Sequence, residues 1–341
     1  MGRKTNLKEQ LKSALITGGN GFVGRAIVHQ LLEAGVACRV IGRNPYPELE
    51  KSGVECVVGD ICDQQIMQQA AEGVDIVFHV AALAGIWGAW EAYHRINVLG
   101  TESVIKACRG RVKYLVYTST PSVVFNRDSI ENGDETLPYP DKFLCHYARS
   151  KVAAEKMVLE ANGDQLLTCA IRPHLVWGPG DPHLIPRLVE ARLKGRLKVV
   201  GNKDNMVDIS YVDNVAHAHL LAAENLVTTG TAAGKPYFIG QEKPVNLWQW
   251  LDDLFEDLDV PRLNAQVPFK VAYVIGGLLE FVYKILGKQE EPPMTRFVAE
   301  QLAKSHYFSH KNAQKDLGYE PIVSTEEGVK RLVASFKSSH R

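Results

Sequence analysis

Ala14, Leu15 and Ile16 form a short apolar run that stops at Thr17 and a cluster of glycines. A different period begins at once. Phe22, Val23, Ala26, Ile27, Leu31 and Leu32 recur at helical spacing until Gly35, a usual helix-stop residue. That pattern predicts strand, tight turn, helix. Further short apolar runs predict strands over 37–41, 54–58, 75–80 and 112–117. Helices are expected from Asp63, around Asn97 and from His146 through Ala153, Ala154, Met157 and Val158. Strands alternating with helices predict an α/β fold with a doubly wound parallel sheet. After residue 173 the rhythm breaks. Helices are expected near Leu184–Leu193, Asp213–Leu221 and Leu247–Leu258, with strands near Leu197–Val200 and Val207–Tyr211. The division expected is 12–173 for the parallel-sheet domain, with elements near 205–240 returning to it, and 174–337 for a smaller, mixed portion.

The glycine cluster carries the first candidate chemistry. Gly18 suits a tight turn, Gly21 lets backbone approach a pyrophosphate, and Gly24 lets helix and strand pack closely. The helix that follows offers free N–H groups and a positive dipole end to phosphate. At the end of the second strand, Gly42 removes the carboxylate that would repel a 2′-phosphate, and Arg43 supplies a planar cation beside Asn44. This favours NADP(H), with NAD(H) left open. Asp60 stands just past the third strand, where it can accept from an adenine amino group; capping the helix from Asp63 is a competing local role for acidic residues there. Ala81 and Ala82 leave room for a cofactor after the fourth strand, while His79 reads as a packed strand histidine. Trp87, Trp90 and Tyr93 fit a substrate wall or a core equally well. The fifth strand ends in Thr118-Ser119-Thr120, and one element later Tyr147 and Lys151 are four apart on one helix face.

Composition narrows the class. With 45% apolar and 23% charged residues the chain reads as soluble and globular, and a formal net charge of zero gives no footprint for nucleic acid. Six cysteines without metal-ligand spacing predict free thiols, a reducing compartment and no metal site. A polar N-terminus without a signal peptide points to the cytoplasm. Phe269 to Leu286 is unusually apolar, but Lys270, Glu280 and Lys284 lie inside it. An amphipathic helix is expected there, covering a pocket, lying at a lipid surface in peripheral contact, or packed on its own domain. Asp208 and Tyr211 are expected to pack and hydrogen-bond. His174, His183, Arg149 and Arg187 are candidates for a substrate carboxylate, inseparable by sequence.

In order, Thr17 to Gly24, the Asp60 turn, Ala81-Ala82, Asn97, Thr120, Tyr147 with Lys151, Ile171-Arg172-Pro173, Trp177 to Gly180 and Val207 to Ala216 resemble the extended short-chain dehydrogenase/reductases. Within them the chain resembles the 3β-hydroxysteroid dehydrogenase branch. Tyr46 to Leu49, Ala84 to Gly88, Tyr117 to Val123, Arg172 to Asp181 and Glu291 to Phe297 resemble the bacterial 2-alkyl-3-oxoalkanoate reductases of long-chain olefin biosynthesis. The resemblance implies a Rossmann domain. It places the cofactor on Gly18, Asn20, Gly21, Phe22, Val23, Gly24, Arg43, Asn44, Asp60, Ile61, Ala81, Ala82 and Pro173, with Tyr147 and Lys151. It makes Tyr147, Lys151 and Thr120 catalytic, Thr120 standing where serine is usual and Ser119 being the fallback. Lys151 is expected to draw the Tyr147 hydroxyl toward working pH. The implied reaction is reduction of the 3-oxo group of a hydrophobic 2-alkyl-3-oxoalkanoate. Alternatives are a 3β-hydroxysteroid or sterol-4-carboxylate 3-dehydrogenase, a sugar-nucleotide epimerase on fold alone, and an NADP-sensing protein without turnover. A homodimer through helices at 91–108 and 147–161, and association with olefin-pathway enzymes, are further implications.

Overall fold

Seven strands carry the site, and the computed structural model, which describes residues 7–339, shows why the sequence forms them. Within their sheet they are β1 (Ser13–Thr17), β2 (Ala37–Gly42), β3 (Glu55–Val58), β4 (Ile76–His79), β5 (Tyr114–Thr118), β6 (Leu167–Pro173) and β7 (Lys235–Ile239). All pairs are parallel, in the order β7-β6-β5-β4-β1-β2-β3. Both faces are covered, so the central strands read as continuous apolar runs rather than as alternations. Ile16, Val40, Phe78, Val116 and Ile171 share one core with helices Phe22–Glu33 and Val212–Thr228. Their strand neighbours Leu15, Ile41, Val77, Leu115 and Ala170 point to the opposite core, under helices Gln64–Ala71, Gly100–Cys108 and His146–Glu160. Strand order reverses between β1 and β4. Ligands in such sheets bind in that crevice, beyond the carboxyl ends of the strands.

A third core gathers Trp177, Trp248, Trp250, Leu251 and Phe255 beside a four-stranded mixed sheet. That sheet runs Val245–Asn246, Met206–Val207, His306–Phe308, Ile130–Gly133, so a strand from the N-terminal half completes it. The expected strand near Leu197–Val200 is reduced to Val199–Val200, which pairs with Gln266–Val267. The helix expected to stop at Leu221 continues to Thr228, because Ala222, Ala223 and Leu226 extend its buried face. Asp208 accepts from the Phe308 N–H at 2.7 Å and from His310 at 3.2 Å, and Tyr211 packs edge-on against Trp177. All six cysteines are free. Among the described residues no helix is long and apolar enough to cross a membrane, and no cluster of groups could hold a metal.

Candidate active site

The glycine turn is built from contacts that exclude side chains. Gly18 has a φ of +68°, and a Cβ there would lie 2.9 Å from the Ala81 Cα. A Cβ on Gly24 would lie 2.2 Å from the Gly18 carbonyl oxygen, so this glycine sets helix against strand. Gly19 has the same kind of role, unread in the sequence: its Cβ would meet Val40 at 2.5 Å. Helix Phe22–Glu33 starts at Gly21 without a side-chain cap, leaving its N-terminus to a ligand. Arg25 holds Asn20 through both its side-chain and main-chain oxygens. These residues fit a dinucleotide pyrophosphate.

The neighbouring strand ends divide the candidates. A Cβ on Gly42 would collide with the Tyr46 hydroxyl, so a side chain there would require the Tyr46 ring to move. Arg43 and Asn44 are exposed beside it, and Arg43 has no acidic partner among the described residues. Asp60 accepts from the Cys62 N–H at 3.0 Å and pairs with Arg95, which together hold its carboxyl below the usual range. Asp63, not Asp60, caps the following helix, accepting from Gln65 and Ile66 N–H groups. The Ile61 side chain is core, packed where a Cβ on Gly100 would stand, so only its backbone can face a cofactor. Pro173 closes β6, paired with Ile239 of β7.

His79 is a structural pin. The Thr101 hydroxyl donates to the Asn97 carbonyl at 2.7 Å, so it accepts from His79 Nε2–H at 2.9 Å. His79 Nδ1 then accepts from the Thr17 hydroxyl at 2.7 Å, and Thr17 Oγ1 accepts the N–H groups of Val80 and Ala81. Burial brings the imidazole down to about 3, so it stays neutral. The ring therefore ties β1 to the β4 turn that carries Ala81 and Ala82. Asn97 lies in a π-helical segment, His94–Leu99, within the helical run from Trp90 to Cys108. Its amide brackets Leu83, accepting from the N–H at 2.7 Å and donating to the carbonyl at 3.1 Å. It also donates to the Ser150 hydroxyl at 2.9 Å.

Tyr147 and Lys151 lie in the first two turns of helix His146–Glu160. Thr120 stands close enough to the Tyr147 phenol to favour its ionised form, which places the two groups together at the end of β5. Ser119 alternates to the other side, its hydroxyl buried without a partner. Thr120 Oγ1 also accepts the Ser122 N–H and lies 3.3 Å from the Ser122 hydroxyl. Lys151 donates to the Thr118 carbonyl at 2.6 Å, and its ammonium stands over the Tyr117 ring. Burial brings Lys151 down to about 7, against the attraction of Glu155. Burial also pushes Tyr147 up to about 12, opposed by the nearby Thr120 hydroxyl. The expected lowering of Tyr147 by Lys151 is thus corrected. Lys151 is turned to the Thr118 carbonyl, and burial of the phenol raises it.

Two supports escaped the sequence. Glu155, one turn after Lys151, is fully buried and forms a two-point pair with Arg172 of β6, at 2.6 and 3.0 Å. Its spacing from Lys151 was visible, but its partner was not. His219 accepts from the Thr118 hydroxyl at 2.7 Å and donates to the Val215 carbonyl, fixing the residue that holds Lys151.

A cleft of about 910 Å³ ends on the same helix turn, bounded by Ile86, Trp87, Phe143, Leu144, His146 and Tyr283 among others. Arg149, Lys142, Lys284 and Lys288 add cations to its walls. Neither Tyr147 nor Thr120 is among those walls; the cleft reaches their neighbours Cys145 and His146. Of the three aromatics, Trp87 lines the cleft, Trp90 stacks under Arg149 at 4.0 Å, and Tyr93 is buried. The four carboxylate candidates now separate. His174 is buried against His306 and held neutral, His183 is exposed before helix Leu184–Leu193, and Arg187 pairs with Glu291. Arg149 lines the cleft but is two residues from Tyr147, about 200° around the helix.

Comparison with known proteins agrees with this geometry. The model of the 3-beta hydroxysteroid dehydrogenase/isomerase family matches residues 15–271. A 2-alkyl-3-oxoalkanoate reductase of Shewanella oneidensis is 46% identical, over 96% of this chain and 87% of that protein. A decarboxylating sterol-4-alpha-carboxylate 3-dehydrogenase of Mus musculus is 36% identical, over 97% of this chain and 93% of that protein. The crystal structure of gox2253 superposes with a TM-score of 0.80 at 27% identity, covering 97% of this chain and 99% of that one. MoeE5, solved with UDP-glucose and NAD, shares the fold at a TM-score of 0.73 and 24% identity, over 96% of this chain and 100% of its own. The chain belongs to the 3-beta hydroxysteroid dehydrogenase/isomerase family and is an NAD(P)-dependent oxidoreductase acting on CH–OH/C=O groups.

Proposed function

We propose that this enzyme uses NADPH to reduce the 3-oxo group of a hydrophobic 2-alkyl-3-oxoalkanoate, leaving the 3-hydroxy acid. The carrying observation is the placement of the Tyr147 phenol beside Thr120, one helical turn before Lys151 and at the carboxyl end of β5, where a ketone oxygen can meet a proton donor. The 46% identity to a reductase of that name supports the same substrate class.

Gly18, Gly21, Gly24 and the uncapped helix N-terminus would hold the pyrophosphate, and Arg43 a 2′-phosphate beside side-chain-free Gly42. When bound, the cofactor supplies the hydride. Thr120 donates to the carbonyl oxygen and orients it, stabilising the charge that develops there. Tyr147 gives its proton to that oxygen as general acid. Lys151 has three donors and uses one on Thr118, so it can also bind the nicotinamide ribose. Reduction removes the electron sink through which a β-keto acid loses carbon dioxide, so the carboxylate survives. The apolar part of the cleft wall, with Ile86, Trp87, Phe143 and Leu144, would take the alkyl chains.

The test is NADPH loss, followed by its absorbance, with a 2-alkyl-3-oxo acid, beside NADH and beside a 3β-hydroxysterol carboxylate with NADP⁺ or NAD⁺. Consumption of NADPH with formation of the 3-hydroxy acid supports the reading. Oxidation of the sterol acid with no reduction of the keto acid would replace it with a dehydrogenase.

A further inference from the structure

Beyond the cleft lies a second cavity, of about 570 Å³, whose apolar wall is Phe269, Tyr273 and Val274 of helix Phe269–Ile285. Arg127 stands in the walls of both spaces. It lies in the turn between segment Pro121–Val123 and strand Ile130–Gly133. Its Nε donates to Glu300 of helix Arg296–Ala303 at 3.2 Å, and its Nη2 to the Tyr273 hydroxyl at 2.7 Å. The side chain is thus a bridge from the turn to both helices, drawn across the boundary between the cavities. The wall it meets is fixed. The inner stripe of helix Phe269–Ile285 is Ala272, Gly276 and Glu280. A Cβ on Gly276 would lie 2.7 Å from the Thr295 backbone, and Glu280 accepts from Arg296 N–H at 2.7 Å and Nε–H at 2.8 Å.

The bridge is a costly one. Arg127 has a φ of +78°, in the left-handed region that few residues other than glycine adopt. Glu300 is 1% exposed, and its Oε2 is buried without a hydrogen-bond partner. A buried oxygen left unsatisfied costs stability, and apolar residues of similar volume commonly match a buried ion pair. Packing alone therefore does not account for a charged, strained and half-satisfied arrangement at this boundary. Such a set of costs at a cavity wall marks a functional position. The guanidinium faces the cleft with its hydration partly intact, since the side chain is 44% exposed. A methyl end pressed against it would strip that water without replacing its hydrogen bonds.

We infer that Arg127 is the chain-length stop of the cleft. An alkyl chain lying along Ile86, Trp87, Phe143 and Leu144 ends against its guanidinium, and the second cavity is an extension that the arginine closes. That the chain belongs to a 3-oxo acid rests on the proposed reductase reading; the stop itself does not.

The experiment is calorimetric titration of the purified full-length chain with straight-chain carboxylic acids of increasing length. NADPH turnover of 2-alkyl-3-oxo acids of matched length runs beside it. The variant Arg127→Ala/Glu300→Leu removes the guanidinium and strands no carboxylate. Affinity for the wild type should rise with length and then level off. For the double variant it should go on rising past that length, by up to about fourfold per added methylene. The ratio of kcat/KM for long over short 3-oxo acids should rise with it. Val274→Trp, added to the double variant, fills the second cavity and should cancel most of the gain. Tyr273→Phe, which only unfastens the arginine, should move the break the same way by less, and carries the test if the double variant does not fold. A wild type that binds no acid of any length, or a break that stays where it was in the variants, overturns the stop. A gain that survives Val274→Trp overturns the second cavity as the extension. Absence of NADPH turnover with every 3-oxo acid would strike the reductase reading and leave the titration to decide the stop.

Discussion

The glycine turn and the helix Phe269–Ile285 are both shaped by close backbone approach, but differ in what lies on the other side. At the turn, Gly18, Gly19 and Gly24 touch protein within 3 Å of where a Cβ would be, and the uncapped helix end faces the crevice. Every residue there is constrained by the fold or by the cofactor. On the long helix only the inner stripe is so constrained. Its outer ridge is exposed. Burial thus accounts for one region and for only half of the other.

Substitution should break the two regions unequally. Gly24→Val puts a branched side chain against the Gly18 carbonyl, and should cost about 4 kcal/mol or more, with cofactor binding lost. Thermal and denaturant unfolding would check it, and a variant as stable as the parent would show that the turn can yield. An intermediate effect comes from pH. His79 and His219 are buried neutral, brought down to about 3 and about 4. Unfolding frees each to take a proton below about 6.5. The stability they preserve is therefore whole above that pH and lost as pH falls from 6.5 toward 4, by up to about 1.4 kcal/mol per unit for each ring. Urea unfolding at pH 7 and pH 5 should show the drop, and His219→Gln should make it shallower; identical curves for the two proteins would contradict the assignment. Leu278→Glu, on the outer ridge, should move stability by only about 0.5 kcal/mol. A large loss would mean that the ridge is packed in the folded chain.

The legible parts of the sequence were those with local patterns. Strands β1 to β5, the glycine turn and the Tyr147–Lys151 spacing each fit within a few residues, and periodicity placed them with ends shifted by one or two positions. Strands β6 and β7 escaped notice, since Thr168 and Arg172 interrupt the first and Lys235 and Pro236 open the second. Two-residue strands such as Met206–Val207 have no period to detect. Long-range partners were also invisible. Nothing near Thr118 announces His219, 101 residues away, and Arg172 does not name Glu155. The direction in which the Tyr147 phenol is shifted was not legible for the same reason. Sequence spacing brings Lys151 near, but only the fold shows its ammonium turned to the Thr118 carbonyl and the phenol buried.

The central claim is that Tyr147 supplies the proton in carbonyl reduction, and Tyr147→Phe tests it with the loss of one oxygen. Single-turnover loss of NADPH with a 2-alkyl-3-oxo acid should slow by about 10²–10⁴-fold. Melting temperature and NADPH affinity should stay near those of the parent. A variant that keeps its rate while binding NADPH normally would contradict the account, and the proton would have to come from another group.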